Sequence, residues 1–579
     1  VPSTLGAVTY AFDRYLRHDE LTAWLRQRTD AAPQLAQLTC YGRSHAGREL
    51  WLVTLTDTAT GAPQTKPAVW VDANIHSMEL TGGVAACRLI AALLDGHGVD
   101  AGITEALQTR TFHIAPRVNP DGVEWALADS PRLRRSSIRS WPWPGHRHRP
   151  GLRVCDVDGD GRILHMRVPD PDGAWTPSRH DPRILAPVPA RGAPAGTVRY
   201  RLYAEGDVVD GDGFTVPVPA PPESLDLNRN FPAGWSPQVK GSGDHPLSEP
   251  EIDALVRAIV ARPTICLYHA LHTFGGFLLR PSSTRPDREL PPDDVWTWEQ
   301  LATPGVQATG YTSHSVYEDF TFDPRQPMSG ASDDWAYEHL GIFGWTVELW
   351  DVVQRATGTK CTPQIWRLGP SEQQQRAVLA WAERHGHELF VDWYPFEHPQ
   401  LGAVELGGWN QLVGFENPPP ALLAAEVEPL VEFVVGQALS TPRLTVRAWC
   451  EPLTATGEGE QPGPGEHLVP GLWRVCAGIT NAGYLPTDIS ARARAERLVL
   501  PLRADCVGEG VEVLGGPSVR ELGQLDGRAA AQYTRPGDGA GDRVLADWTV
   551  RAATGARLTV TVTHPRVGRV EASVVLGGD

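Results

Sequence analysis

Residues 67–75, PAVWVDANI, are a short run of apolar and β-branched residues that leads directly into His76-Ser77-Met78-Glu79 and then into helical spacing over residues 80–94. An apolar run of this length without alternation is the pattern of a strand buried on both faces. Such a strand needs helices on both sides of its sheet, which confines the chain to an α/β architecture with a largely parallel sheet. The same texture recurs. Residues 111–118 read as a strand closed by the turn Asn119-Pro120-Asp121-Gly122, and residues 265–268 and 344–349 read as further strands. Residues 15–28, 249–261 and 371–385 read as helices.

Two stretches depart from this texture. Between residues 140 and 223, Pro, Gly, Asp and Arg crowd together with little periodicity, which predicts an insertion of hairpins and ordered loops. From about residue 444 onward the pattern is all β, with short strands at 444–449, 472–479, 558–562 and 570–576 separated by Gly and Pro turns, as in a small β-sandwich. The expected organisation is therefore an α/β unit over residues 1–440, with the insertion at about 140–223 and a linker at about 400–440, followed by an accessory β-sandwich over 441–579.

Composition excludes several functions. The 579 residues hold 69 acidic against 52 basic side chains, a formal charge of -17, which argues against a nucleic-acid partner because phosphate neutralisation needs clustered Lys and Arg. No apolar run approaches the roughly 20 residues of a membrane span, so no membrane partner is expected. The eight cysteines form no CxxC pair, which disfavours a Cys-ligated zinc site. The chain begins at Val1 without an initiator Met, so the reading is a soluble protein, either cytoplasmic or secreted with its signal peptide removed.

A His and a carboxylate three residues apart at a strand end can turn toward one point beyond the sheet, and both are suitable zinc ligands. Alone, His76 and Glu79 could equally be a surface His beside a helix-capping Glu. A third donor is available after the strand at 265–268, from His272 or from His269. Glu348 lies inside the apolar run GWTVELW, where an ionisable residue is rarely buried unless paired or functional. A carboxylate there could act as general base, and Arg229 in LDLNRNFP offers a planar fork for a carboxylate ligand.

Eight segments in order, YGRSHAGREL, VDANIHSMEL, RVNPDG, RLRRSS, LDLNRNFP, LHTFGGFLLRP, SGASDDWAY and GWTVELWD, closely resemble the M14 zinc carboxypeptidases over roughly residues 10–400. The resemblance implies a mixed eight-stranded sheet flanked by helices, one zinc ion, and a peptide substrate with a free C-terminal carboxylate. By it, His76, Glu79 and His272 match the zinc ligands, Glu348 the general base, and Arg135, with Arg134 as its alternative, the arginine that stabilises the oxyanion. Asn228 and Arg229 match the pair that grips the terminal carboxylate.

Asp333 falls where the family places the residue at the base of the pocket for the departing side chain, and an Asp there goes with C-terminal Arg or Lys. Its alternative is a carboxylate neutralised internally or serving a turn. The family's substrate-capping tyrosine would fall at Gln326, with Tyr317 as a candidate replacement. Residues 282–340 hold three Arg against 11 acidic residues, which would favour a cationic substrate. Related zinc amidases and a non-catalytic peptide-binding module are the competing functions. In the insertion, Asp156, Asp158 and Asp160 resemble the first half of an EF-hand loop and make a candidate calcium site, although Arg167 stands where that motif needs a Glu.

Overall fold

The computed structural model describes residues 9–141, 150–192, 194–212, 215–321, 328–455, 467–532 and 539–577. Among the described residues, β1 (Ala36–Arg43), β2 (Glu49–Leu55), β3 (Ala68–Ala73), β4 (Thr111–Ala115), β5 (Ile265–Thr273), β6 (Phe277–Arg280), β7 (Thr312–Ser315) and β8 (Phe343–Leu349) form one sheet. Its order is β1-β2-β4-β3-β5-β8-β6-β7, the mixed eight-stranded arrangement expected. The four central strands, β4-β3-β5-β8, are mutually parallel, so their C-terminal ends lie along one edge. In open α/β sheets, the crevice outside those ends is where ligands bind.

Helices cover both faces. On one, Thr81–Gly96, Pro292–Thr309 and Pro420–Ser440 pack together, and Phe433 meets His269 and Trp345 edge-on. On the other, Pro250–Val260 packs on β1 and Ser332–Leu340 on β8 and β5. All six residues of β3 are buried, as their unbroken apolar sequence requires.

The stretch expected as a linker at about 400–440 instead carries a strand, Gly402–Trp409, and the helix Pro420–Ser440. The helix-like run read within this stretch at 421–439 is this helix, and Pro420 occupies its first turn, where the missing N–H costs nothing. This helix is apolar around most of its circumference because it lies between two other helices.

Strand Gly402–Trp409 and its partner Phe390–His398 join four strands of the insertion, His165–Pro169, Tyr200–Ala204, Trp175–Pro177 and Leu185–Pro187, in a six-stranded sheet. Arg167 fastens the seam. Its guanidinium makes two bonds to Glu405, at 2.8 and 3.1 Å, and lies against the rings of Tyr200 and Trp393.

Beyond residue 440, two antiparallel four-stranded sheets enclose a core that includes Trp473, Val475, Trp548 and Val560. They dock on the α/β unit through polar contacts to backbone. Asp294 accepts the N–H groups of Ala491 and Arg492, and Ser490 Oγ donates to Gly341 O at 2.6 Å. The buried Arg566 guanidinium donates to Pro263 O, Ile265 O and Leu340 O at 3.0, 2.8 and 2.5 Å. All eight cysteines are free thiols. Among the described residues, no helix is long and apolar enough to cross a membrane.

Arg566→Ala would leave three carbonyls at this junction without their donor. We expect it to lower unfolding free energy by about 3 kcal/mol in a denaturant titration. A loss under about 0.5 kcal/mol would mean that the junction does not depend on this side chain.

Candidate functional site

The site begins where β3 runs out. Asn74, with φ of 54°, turns the chain through the left-handed region that Asn tolerates better than most residues, and its Nδ2 donates to Glu79 O at 2.6 Å. Ser77 N donates to Arg135 O at 2.9 Å, which ties the loop to the segment bearing Arg135. The helix that follows starts at Thr81 and sits close against the sheet. A Cβ at Gly82 would lie 2.8 Å from Leu271 O, and one at Gly83 would lie 2.4 Å from Asn74 Oδ1. Only glycines permit that approach.

This loop and the end of β5 bring His76, Glu79 and His272 together, all buried. Glu79 Oε1 is 2.7 Å from His76 Nδ1, Glu79 Oε2 is 2.7 Å from His272 Nδ1, and the two Nδ1 atoms are 3.1 Å apart. Burial disfavours charge on Glu79, but the two imidazoles outweigh it and hold the carboxyl well below its usual range. Two nitrogens bound tetrahedrally at about 2.0–2.1 Å from a zinc ion would stand roughly 3.3 Å apart, so both the donor set and its spacing fit that metal. His269 takes no part. Three residues along a strand reverses the face, and His269 stacks on Trp345 with its ring centroid 5.5 Å away.

Asp226 supports the triad from behind. Its Oδ1 is 3.1 Å from His76 Nε2, and its Oδ2 accepts from Arg135 Nε at 2.7 Å. Burial opposes its charge, but Arg135, His76 and Arg229 keep its carboxyl well below the usual range. Arg134 turns elsewhere and pairs with Glu223 at 3.0 Å. Arg135 therefore faces the cavity, as does the end of β8.

On β8, alternation sends Trp345 to the helix-covered face, while Thr346 and Glu348 line the cavity. Glu348 lies opposite His272 in the parallel register, and its Oε2 is buried without a hydrogen-bond partner. Burial and the nearby Glu79 raise its pKa well above the ordinary carboxylate value.

Asn228, Arg229, Asp333 and His76 line the same cavity. Asn228 Oδ1 accepts from Ser332 N at 2.9 Å, and Arg229 Nη1 donates to Asn228 O at 2.7 Å. Asp333 Oδ1 accepts from Asp334 N at 3.0 Å, while Oδ2 is buried and unpartnered. Burial pushes its pKa up. No arginine pairs with it among the described residues, and Asp334 is the acid committed locally, accepting from Ser283 N. Val316 and Phe320 also line the cavity, whereas Tyr317 is absent from the described lining. Gln326 lies outside the described residues.

Asp156, Asp158 and Asp160 are brought together at the edge of the six-stranded sheet. Asp156 accepts from Gly159 N and Gly161 N, Asp158 from Tyr394 Oη, and Asp160 pairs with Arg162. Arg167 at the twelfth position is held by Glu405.

Sequence reasoning missed three side chains at the site. Asp226 was visible two residues before Asn228 in LDLNRNFP, but nothing local marked it. Asn417 is fully buried and donates from Nδ2 to Met78 O at 2.7 Å, while its Oδ1 accepts from Thr81 N and Oγ1 at 3.1 and 2.9 Å. Beside it, Glu416 is partly exposed, its pKa pushed to about 8 by burial and by Glu79.

The geometry agrees with comparison to known proteins. The zinc carboxypeptidase family model, Peptidase_M14, matches residues 21–358, and the chain belongs to that family. A second model, a domain of unknown function (DUF8731), matches residues 465–575. A zinc carboxypeptidase of Saccharothrix mutabilis subsp. capreolus is 32% identical over 127 residues, covering 22% of this chain and 28% of that protein. Carboxypeptidase B of Bos taurus is 22% identical over 365 residues, covering 60% of this chain and 66% of that protein. The chain thus spans less than two thirds of either relative's length. The crystal structure of carboxypeptidase A from Helicoverpa armigera aligns at 17% identity and TM-score 0.37, covering 65% of this chain and 74% of that one.

Asp226→Asn removes the charge that orients His76 and Arg135. We expect zinc affinity, read by competition with a chromogenic chelator, to fall about 10- to 100-fold. Unchanged affinity would show that His76 is held without it.

Proposed function

We propose that the chain is a zinc-dependent metallocarboxypeptidase that hydrolyses the C-terminal peptide bond of peptides and prefers a terminal Arg or Lys. One observation carries the reading: His76 and His272 of the donor triad, Glu348, Arg135, Asn228, Arg229 and Asp333, whose Oδ2 has no partner among the described residues, all border one cavity. The catalytic unit would span residues 1–440, with the β-sandwich of 441–579 as an accessory. Zinc held by His76, Glu79 and His272 would supply Lewis acidity, polarising the scissile carbonyl and lowering the pKa of water toward about 7.

The remaining work falls to side chains. Arg229, with the amide of Asn228 beside it, grips the substrate's terminal carboxylate and limits cleavage to chain ends. Glu348 takes a proton from the attacking water and delivers it to the departing amine. Arg135 stabilises the negative charge that grows on the carbonyl oxygen, and its bond to Asp226 fixes it in advance of reaction. Asp333 selects the departing side chain, because an unpaired buried carboxylate favours a cationic guest. The acidic excess of residues 282–340 would concentrate such substrates at the cleft. A calcium site at Asp156, Asp158 and Asp160 is left out of this reading, since backbone N–H groups, Tyr394 and Arg162 account for their oxygens.

Blocked dipeptides ending in Arg, Lys, Phe, Leu or Glu test the reaction. Cleavage should vanish with a chelator and return with zinc. Glu348→Gln should lower kcat by about 100- to 10,000-fold while zinc content is unchanged. Activity indifferent to both treatments would defeat the mechanism. Asp333→Ile should shift preference from Arg toward Leu or Phe. A wild-type preference for Phe would defeat the specificity alone.

A further inference from the structure

A second cavity, of about 160 Å³, lies where the β-sandwich meets the α/β unit. Thr60, Thr65, Lys66 and Arg110 line it from the segments that precede β3 and β4. Arg443 and Arg569 line it from the sandwich, at the starts of the strands Leu444–Ala455 and Gly568–Val575. The hairpin at Gly568 presses so closely on Thr65 O that no Cβ would fit between them. The triad stands beyond the C-terminal ends of β3 and β5, so the two cavities lie at opposite edges of the sheet.

Among the described residues, four cations and no carboxylate line this junction cavity. Two of them, Lys66 and Arg110, are buried and bond only neutral acceptors. Lys66 Nζ donates to Thr56 Oγ1, Thr60 Oγ1 and Asp57 O at 2.9, 2.8 and 2.7 Å. The Asp57 carboxylate itself accepts from Ala59 N and faces His97. Arg110 Nε bonds Ala438 O and Thr441 Oγ1, while Nη1 and Nη2 each donate one of their two N–H groups, to Thr109 O and Thr441 O. Burial lowers the pKa of Lys66 to about 8 and that of Arg110 to about 10, so both carry charge at neutral pH. Arg443 Nη1 donates to Glu105 at 3.1 Å and Arg569 pairs with Glu571, but both acids stand outside the lining.

We propose that this cavity binds a phosphate or sulfate group between Arg110, Arg443 and Arg569, and that the bound anion fastens the β-sandwich to the α/β unit. Buried cations without a carboxylate partner are costly, and an anion held among them offsets that cost. Guanidinium forks suit a tetrahedral oxyanion, which accepts several charge-assisted bonds at once. Lys66 contributes charge and no bond, because its three protons are already committed. The fitting ligand is a doubly charged oxyanion, either a free ion or the phosphate of a larger molecule. The site is independent of the carboxypeptidase reading.

The test titrates the zinc-loaded full chain with inorganic phosphate, and separately with glycerol phosphate, at an ionic strength held constant with chloride. Binding is read by calorimetry and by melting temperature, with zinc content as a control. The wild type should bind saturably and melt at a higher temperature as it fills. Arg443→Gln and Arg569→Gln should each weaken binding about tenfold. Both residues lie outside the catalytic machinery, and the exposed ion pairs they would lose contribute little to folding. Arg229→Gln, which removes an anion-binding group of the active site, should retain the junction binding. Tighter binding of glycerol phosphate would assign the cavity to an esterified phosphate, and tighter binding of the inorganic ion to free phosphate. No saturable binding beyond the chloride control, binding lost in Arg229→Gln alone, or unchanged affinity in both junction variants would overturn the proposal.

Discussion

A buried carboxylate between two imidazoles is the constraint around which the α/β unit is arranged. Glu79 is almost wholly removed from water, and burying an isolated charge costs more than a fold can offset unless it is paired. His76 and His272 provide that pairing, and they come from two different strand ends. Their meeting requires β3 and β5 to run parallel in a fixed register and the helix after β3 to sit close enough that only glycine fits at positions 82 and 83. Asp226 then compensates His76 and Arg135 from a fourth segment. Each contact depends on the one before it.

The cavity is lined by two arginines, Arg135 and Arg229, and two carboxylates, Asp333 and Glu348. Among the described residues, Glu348 and Asp333 each keep a buried oxygen without a hydrogen-bond partner. Structural acids elsewhere in the chain are treated differently: Asp334 accepts from Ser283 N, and Asp294 accepts from two backbone N–H groups. Unsatisfied carboxylates are costly to maintain, so their concentration on one surface suits a site completed by a cation and a substrate rather than a packing role.

The added layers bear on this site through a few long-range contacts. The strand Gly402–Trp409 pairs with the insertion, and the loop after it carries Asn417 into the turn beneath Glu79. An element far along the chain thus holds the loop that carries His76 and Glu79. The β-sandwich is tied instead to the opposite, N-terminal side of β5, where Arg566 bonds Ile265 O.

The sequence alone determined the α/β class, the main strands and helices, and the residues at the strand ends, because burial on both faces leaves an unbroken apolar run and the eight motifs are local. Residue type alone left His269 and His272 as alternatives, between which the motif's spacing favoured His272, and it left open whether Arg134 or Arg135 faces the cavity, since neighbouring residues of one type carry no directional signal. The fold separated them: strand alternation turns His269 into the helix layer, and Glu223 draws Arg134 aside. Within the linker expected at about 400–440, the helix-like run at 421–439 was legible and the strand Gly402–Trp409 was not, because a partner of that strand lies more than 200 residues away in the insertion. Asp226 and Asn417 acquired their places by the same long-range pairing. Local pattern fixed which elements form, and tertiary packing decided which side chains meet, because contact across the sheet depends on register and not on spacing along the chain.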